Sequence, residues 1–431
     1  MRYMKRYLLL INFILLFATA QAQIKAISFN VNGLKVILKP TQKETVSMCM
    51  FFRGGVMNYE PEQAGIEHLA LTAAGVCGTK NYTVTDYQEL ADEYGIRING
   101  GATTDFGLLS MNCISKYLDQ GWKLFSDAVA NPIFDENEFA TTKEKLLTGI
   151  SHSKSDPETR LDQLTMETLF KGTQYGVNPL GDIITVSGFT ADSVKKYYHN
   201  QLLNKNRMFL VVAGKITKEE LEKKIVESFK NLPKKPYTAP VYEQNEIVGQ
   251  TVFSEPRNIA TNYISVVFNA PVMSSADYHS FVLLVNVLSG SLSYELRTKQ
   301  GLSYDPGAKV IDIQKPYTSL FVSSTQPGKA LKAMFGVFDD VGKAHYNQKY
   351  LDALKKDHRD KSYRNQESAN AIVANLGKAE ILGDYKMEEN MVENFNKVTL
   401  KDMNDVYTKY FKGSDLFYIG DEDLLNSIFK K

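Results

Sequence analysis

A zinc-binding helix of a hydrolase needs two histidines four residues apart, because that spacing places both imidazoles on one helical face within reach of one tetrahedral ion. In the inverted form of the motif, a glutamate just before the second histidine holds the attacking water as general base. Here the five residues from His68 onward read His-Leu-Ala-Leu-Thr. Leu71 stands where the base is needed and Thr72 where the second ligand is needed. Leucine neither accepts a proton nor binds metal, and threonine is a poor zinc ligand.

The sequence around this helix resembles the first domain of the pitrilysin/insulinase family, which includes mitochondrial processing peptidase. The resemblance rests on an apolar strand at 46–52, the segment Gly54-Gly55-Val56-Met57-Asn58-Tyr59-Glu60-Pro61, Gly65 before the helix and Gly78-Thr79 after it. Active members carry His-x-x-Glu-His here and a Glu-Glu pair on a later helix, ahead of an Asp-Pro-like turn. This chain has Thr148-Gly149 in place of that pair, ahead of Asp156-Pro157. The resemblance therefore implies a zinc-peptidase fold without its metal site.

A different register does not restore the motif. Using Glu67-His68 as the Glu-His pair places Ala64 at the first ligand, and His68 is the only histidine in the stretch. We therefore expect His68 to be an ordinary partly buried or surface histidine, and the chain to hold no metal or other cofactor of its own.

A second group of candidate residues lies between Leu288 and Tyr304. The string reads Leu-Ser-Gly-Ser-Leu-Ser-Tyr-Glu-Leu-Arg-Thr-Lys-Gln-Gly-Leu-Ser-Tyr. It is similar to the family's second-domain signature, a Gly/Ser-rich turn followed by Leu-Arg and Gly-Leu-x-Tyr. The resemblance implies that Arg297 and Tyr304 reach across to substrate bound at a zinc site. Arginine can donate forked hydrogen bonds to peptide carbonyls, and a tyrosine hydroxyl can help polarise one. Gly301 is expected to end the helix between them.

A third feature is the glycine-containing strand around Asn99. Residues 95–105 read Gly-Ile-Arg-Ile-Asn-Gly-Gly-Ala-Thr-Thr-Asp. They resemble the family's edge strand, onto which an extended substrate is added as one more β-strand, with main-chain pairing giving affinity. Gly100 and Gly101 would let another backbone approach closely. The alternative is an ordinary edge strand with a glycine bulge.

The amino terminus predicts export. Three basic residues within the first six positions precede an apolar run at 7–17 and the motif Ala20-x-Ala22, a pattern typical of a secretory signal cleaved before Gln23. The alternative is a retained membrane anchor, although the apolar run is short for a span. We expect a mature protein in the periplasm of a Gram-negative cell.

Composition narrows the class of partner. Loss of the three basic residues with the signal takes the formal charge from +1 to −2, which argues against a nucleic-acid partner. Three cysteines (Cys49, Cys77 and Cys113) cannot all pair with one another. Cys49 and Cys113 lie in apolar runs and are expected to be buried small hydrophobic residues.

The order of predicted elements indicates two copies of one α+β unit. Apolar strands at 26–29, 34–38 and 46–52 precede a helix at about 63–74, and a capping-box pattern places the start of the next helix at Thr85. Further strands and long helices follow, and a similar order recurs after a Pro- and Lys-rich connector. We predict a signal at 1–22, a domain at 23–232, a linker at 233–248 and a homologous domain at 249–431. The resemblance implies that each is a mostly antiparallel sheet with helices on one face.

These features lead to a functional hypothesis. The family includes two-chain members in which one chain carries His-x-x-Glu-His and the other donates the Arg/Tyr pair. The chain is therefore expected to be the silent subunit of an exported zinc metallopeptidase, paired as a heterodimer with a homologous zinc-bearing chain and with an extended peptide substrate. The alternatives are a non-enzymatic peptide-binding or assembly scaffold of the same fold, and an autonomous metallopeptidase with unconventional ligands.

Overall fold

The computed structural model describes residues 24–241 and 246–429, and the predicted signal at 1–22 lies outside these ranges. The described chain forms two sheets, each flanked by helices, which confirms the predicted α+β architecture. A search of the described helices finds none long and apolar enough to cross a membrane. All three cysteines are buried and unpaired, as expected for Cys49 and Cys113.

The first sheet has six strands in the order β1-β2-β6-β3-β5-β4. All neighbours are antiparallel except β2 and β6, so the prediction of a mostly antiparallel sheet is confirmed. Every residue of β6 is buried, which places this strand in the centre of the core, whereas β4 lies at one edge. The strands are β1 (Ile27–Val31), β2 (Leu34–Pro40), β3 (Thr45–Arg53), β4 (Arg97–Ala102), β5 (Phe106–Ile114) and β6 (Met208–Gly214).

Eight α-helices accompany this sheet in the described chain. The second helix begins two residues earlier than predicted: its N-cap is Thr83, not Thr85, because the Thr83 side chain accepts a hydrogen bond from the Asp86 backbone N–H (3.2 Å). The helices are α1 (Ile66–Val76), α2 (Val84–Glu93), α3 (Leu118–Ala130), α4 (Glu136–Ser155), α5 (Pro157–Leu169), α6 (Ile183–Ser187), α7 (Ala191–Tyr197) and α8 (Lys218–Phe229). A π-helical turn, Tyr198–Leu202, continues α7.

The second sheet has five strands in the order β7-β11-β8-β10-β9, and only β7 and β11 run parallel. The strands are β7 (Gln250–Pro256), β8 (Asn262–Asn269), β9 (Gly307–Ile311), β10 (Tyr317–Ser324) and β11 (Ser414–Gly420). The helices are α9 (Tyr278–Leu292), α10 (Pro327–Lys343), α11 (Gln348–Asn365), α12 (Ala369–Leu382), α13 (Lys386–Glu389), α14 (Met391–Lys397), α15 (Leu400–Tyr410) and α16 (Glu422–Phe429). The edge strand β9 packs on α9 as β4 packs on α1, so the two units repeat one plan.

Each sheet also receives a helix from the other domain. Helix α12 packs on β3 and β6, where Gly377 lies so close to the Phe51 ring that a Cβ there would come within 2.0 Å of it. Helix α5 packs on β8 and β11, and its Arg160 pairs with Glu255 on β7 at 2.7 Å. Helices therefore cover both faces of each sheet, one face from each domain.

The first part of the predicted linker is attached to the first domain. The Lys205 N–H donates to the Pro233 carbonyl at 2.9 Å. The Tyr237 hydroxyl donates to the Arg53 carbonyl at 2.9 Å. These bonds fix the direction in which the chain leaves the first sheet.

Candidate functional site

Helix α1 carries the degenerate zinc motif and is largely buried. Leu69, Ala70 and Leu71 are each fully inaccessible to solvent and belong to the first-domain core. Leu71, at the position of the general base, is therefore a packing residue. A carboxylate there would be surrounded by apolar side chains and could not hold a water toward a substrate.

The side chains at the two zinc-ligand positions of the motif, His68 and Thr72, bind the edge strand β4. The His68 Nδ1 accepts a hydrogen bond from the Ala102 backbone N–H at 3.1 Å, and the Thr72 hydroxyl donates to the Gly100 carbonyl at 3.1 Å. Burial lowers the pKa of His68, so its ring is neutral at pH 7 and can accept this bond. The contact is close, because a Cβ on Gly100 would lie 1.9 Å from the Leu71 carbonyl oxygen. Both side chains therefore serve to attach α1 to β4.

These residues do not fit a zinc ion. Thr148 is exposed on α4 and donates to the Glu144 carbonyl of its own helix at 2.9 Å. A Cβ added at Gly149 would meet nothing within 4 Å. Across residues 24–241 and 246–429, no group of three or more His, Cys, Asp and Glu side chains is placed to hold a metal. His68 and Thr72 are neutral donors, and the motif position of the catalytic base is occupied by Leu71.

Sequence reasoning missed a buried ion pair directly beside the motif. Glu67 and Arg207 are 0% and 1% exposed, and the Arg207 guanidinium donates to one carboxylate oxygen of Glu67. The Tyr197 hydroxyl donates to the same oxygen at 2.8 Å. Burial raises the pKa of Glu67, and the guanidinium opposes that rise. The pair fixes α1 to the chain that enters β6.

The same guanidinium extends the network to the linker. Arg207 also donates to the Arg53 and Gln201 carbonyls, each at 2.9 Å, and lies over the Tyr237 ring at 5.9 Å. The Arg53 carbonyl is the one that Tyr237 contacts. In the sequence, this ion pair is indicated only by the charged residue Glu67 within a mostly apolar stretch. Its partner Arg207 lies 140 residues away and gives no local signal.

The structure brings Arg297 and Tyr304 together on the second domain. Helix α9 continues into a π-helical segment, Ser293–Lys299, which carries Arg297; such segments occur often at functional sites. Gly301 then takes a left-handed backbone (φ +61), and the Leu302 N–H returns to the Leu296 carbonyl at 2.7 Å, which ends the helix as predicted. The Arg297 guanidinium lies 4.5 Å from the centre of the Tyr304 ring.

Both side chains are open to solvent. Tyr304 is 79% exposed. Within the described chain no carboxylate pairs with Arg297. Glu295, on the same segment, pairs instead with Lys299 at 3.0 Å. The pair thus presents an uncompensated cation and a hydroxyl at the surface, stacked by a cation–π contact that orients the guanidinium.

The strand with Asn99 lies at the sheet edge, and the Asn99 side chain is exposed. Its carbonyl accepts a bond from the Ser110 hydroxyl at 3.2 Å. Two other main-chain groups of β4, the Gly100 carbonyl and the Ala102 N–H, are already bonded to α1. A peptide added to this edge would have to share or displace those contacts. In the described chain, no hydrogen bond or ion pair joins this region to Arg297 or Tyr304.

Two family models match the chain. The model described as insulinase (peptidase family M16) matches residues 35–182, and the model described as peptidase M16 inactive domain matches residues 188–357. The first includes α1 and β4, and the second includes the segment with Arg297 and Tyr304.

Relatives of known sequence align along most of the chain. An uncharacterized zinc protease, YmxG, of Bacillus subtilis (strain 168) is 21% identical over 394 residues, which are 88% of this chain and 94% of the relative. A non-peptidase homolog, YmxG, of Helicobacter pylori (strain ATCC 700392 / 26695) is 20% identical over 378 residues, which are 85% and 86% of the two chains. The relatives thus include one described as a protease and one described as a non-peptidase.

Solved structures share the fold. A protease from Helicobacter pylori has a TM-score of 0.84 at 17% identity, covering 92% of this chain and all (100%) of that one. A peptidase M16 inactive domain from Pseudomonas fluorescens has a TM-score of 0.81 at 19% identity, covering 92% and 98%. The periplasmic protease PqqL from Escherichia coli has a TM-score of 0.76 at 13% identity, covering 94% of this chain and 47% of that one.

Proposed function

Because the chain belongs to the insulinase family of peptidases, peptidase family M16, we propose that it is the catalytically silent subunit of an exported, heteromeric zinc metallopeptidase. A homologous partner chain supplies the zinc and the catalytic base, and this chain supplies Arg297 and Tyr304 to an extended peptide held between the two. The degenerate positions of its own α1 have become packing and attachment residues.

The observation that carries the proposal is the exposure of Arg297 and Tyr304 and the stacking of the guanidinium on the tyrosine ring. An exposed arginine without a carboxylate partner, stacked on an exposed tyrosine, leaves its guanidinium N–H groups available to peptide carbonyls. The Tyr304 hydroxyl can donate to a carbonyl oxygen on which negative charge develops during hydrolysis. Asn99 on the β4 edge remains a candidate contact for an extended strand of the same peptide.

Export rests on the amino-terminal sequence. The basic start, short apolar run and Ala20-x-Ala22 motif predict a cleaved secretory signal. The structural relative PqqL is described as periplasmic, which agrees with a periplasmic location for this chain. The proposed partner would share that compartment.

A second candidate function is a peptide-binding or assembly scaffold of the same fold. It is favoured by the relative described as a non-peptidase homolog and by the occupied main-chain groups of β4. A scaffold would form a stable assembly without a zinc-bearing chain.

Measurements of co-purification and of peptide cleavage distinguish the two functions. The subunit is purified alone and with the homologous chain that carries His-x-x-Glu-His, and cleavage of a quenched fluorescent peptide library is followed. The proposal expects no cleavage by this chain alone and cleavage by the pair. Recovery of a homodimer that does not associate with the zinc chain would favour the scaffold.

A further inference from the structure

The position of Tyr304 depends on the loop that carries it. Its side chain is 79% exposed, and in the described chain its contact with the Arg297 guanidinium is its only hydrogen bond, ion pair or ring contact. Arg297 belongs to the π-helical segment, whereas Tyr304 follows the left-handed turn at Gly301. The place of the tyrosine hydroxyl is therefore set by the main chain between Gly301 and Tyr304.

Leu302 is the residue at which this main chain is attached to the rest of the domain. Its N–H donates to the Leu296 carbonyl at 2.7 Å, and its carbonyl accepts a hydrogen bond from the Ser324 hydroxyl at 2.6 Å. The first bond joins the loop to the helix that it leaves, and the second joins it to the end of β10. Both main-chain polar groups of the residue two positions before Tyr304 are thus occupied.

Ser324 is itself held in a buried network. It is the last residue of β10 and is 3% exposed. Its hydroxyl accepts a hydrogen bond from the Gln326 N–H at 3.0 Å, and its carbonyl accepts one from the Asn262 side-chain amide at 3.2 Å. Asn262 is 0% exposed, and its amide oxygen accepts a hydrogen bond from the Tyr418 hydroxyl at 2.5 Å. The group that holds the loop is therefore fixed on the core of the second sheet.

No other side chain shares this role. Within residues 301–306 of the described chain, the Leu302 carbonyl is the only main-chain group that is bonded to a side chain. Ser303, next to Tyr304, is buried, but its hydroxyl has no hydrogen-bond partner among the described residues. The loop thus depends on a single hydroxyl for its attachment to the sheet.

We propose that Ser324 is a positioning residue for peptide cleavage: by holding the Leu302 carbonyl, it places the Tyr304 hydroxyl against the substrate carbonyl. This inference rests on the proposed function, in which Tyr304 donates to an oxygen on which charge develops. Ser324 acts through Tyr304 and not on the peptide. Because that charge develops only in the transition state, a displaced hydroxyl should lower kcat and leave KM nearly unchanged.

The test is steady-state kinetics of the reconstituted pair with a quenched fluorescent peptide that the wild-type pair cleaves. Ser324→Ala should lower kcat by about tenfold with KM within about twofold, since a misplacement of about 1 Å can cost up to about 100-fold in rate. Ser323→Ala is the matched control. Ser323 is the preceding residue of β10, its hydroxyl makes no hydrogen bond to a described residue, and the variant should keep the wild-type kcat.

A Tyr304→Phe background separates positioning from general damage to the fold. This variant removes the hydroxyl that Ser324 places, so adding Ser324→Ala should have no further effect on kcat. A further loss of about tenfold in that background, a change confined to KM, or full kcat in Ser324→Ala alone would overturn the inference and leave the proposed function standing. No cleavage by the wild-type pair, or full kcat of the Tyr304→Phe pair, would overturn the proposed role of Tyr304 and this inference with it.

Discussion

Replacing Arg207 with methionine should be one of the most damaging single changes in the first domain. The variant leaves the Glu67 carboxylate in a site that is 0% exposed, without the guanidinium that offsets its burial. It also removes the N–H groups that now reach the Arg53 and Gln201 carbonyls at 2.9 Å, although the Arg53 carbonyl keeps its bond from the Tyr237 hydroxyl. Methionine fills most of the space, so the loss is mainly electrostatic.

The expected cost follows from these contacts. Breaking a buried ion pair by removing one partner costs about 3–5 kcal/mol, and loss of the hydrogen bond to the Gln201 carbonyl adds about 1 kcal/mol. The total, about 5 kcal/mol, is a large part of the roughly 5–15 kcal/mol that typically stabilises a domain. Changing Glu67 to glutamine in the same molecule removes the stranded charge, because an amide is neutral. The Tyr197 hydroxyl can still donate to the amide oxygen. The double variant should therefore recover about half of the loss.

The assay uses a natural probe. The chain has one tryptophan, Trp122, which is buried on α3 and donates to the Ser228 hydroxyl at 2.9 Å. Its fluorescence during urea unfolding reports on the first domain, which contains it. The free energies of unfolding of the wild type, both single variants and the double variant form one double-mutant cycle.

The reasoning would be refuted by either of two results. If Arg207→Met costs less than about 1 kcal/mol, the pair does not fix α1. If the double variant is no more stable than Arg207→Met alone, the stranded carboxylate of Glu67 is not the cause of the loss.

Three other changes probe the same region. Gly100→Ala puts a Cβ 1.9 Å from the Leu71 carbonyl oxygen and should destabilise the first domain by roughly 1–3 kcal/mol in urea unfolding, so an unchanged midpoint would contradict the close packing. Thr72→Val removes the bond to the Gly100 carbonyl and should cost about 1 kcal/mol; no loss would mean that this hydroxyl does not hold β4. Burial raises the pKa of Asp105 from 3.8 to about 6, so its contribution to stability is present below pH 3.8 and lost as pH rises through 6. Relative to Asp105→Asn, the wild type should gain about 3 kcal/mol of stability between pH 7 and pH 3; a pH-independent difference would contradict this.

Much of the architecture could be predicted from local patterns. The start of the helix Lys218–Phe229 follows from a local signal, because Thr217 and Glu220 form a complete capping box. Arg297 and Tyr304 belong to one short string, and the helix end predicted at Gly301 lies between them and brings their side chains together. Signals of this kind act over a few residues, and a single sequence contains them.

The missed features depend on residues far apart in the chain. Glu67 and Arg207 are separated by 140 residues, and nothing in the local pattern of either predicts the other. The exchange of helices between the domains was also missed, since the apolar face of a helix does not indicate in the sequence which sheet it covers. The hydrogen bonds that occupy main-chain groups of β4 could not be predicted, because the sequence does not show that His68 and Thr72 point at this strand.

The proposed function is tested most directly by the rate of peptide cleavage with Arg297→Ala in the reconstituted pair. The wild-type pair should cleave, this chain alone should not, and the variant pair should be slower by at least about tenfold, because a group acting on the substrate carbonyl is lost. Lys299→Ala is the matched control, an exposed cation on the same segment that pairs with Glu295, and should leave the rate unchanged. Cleavage by this chain alone, or full activity of the Arg297→Ala pair, would contradict the assignment.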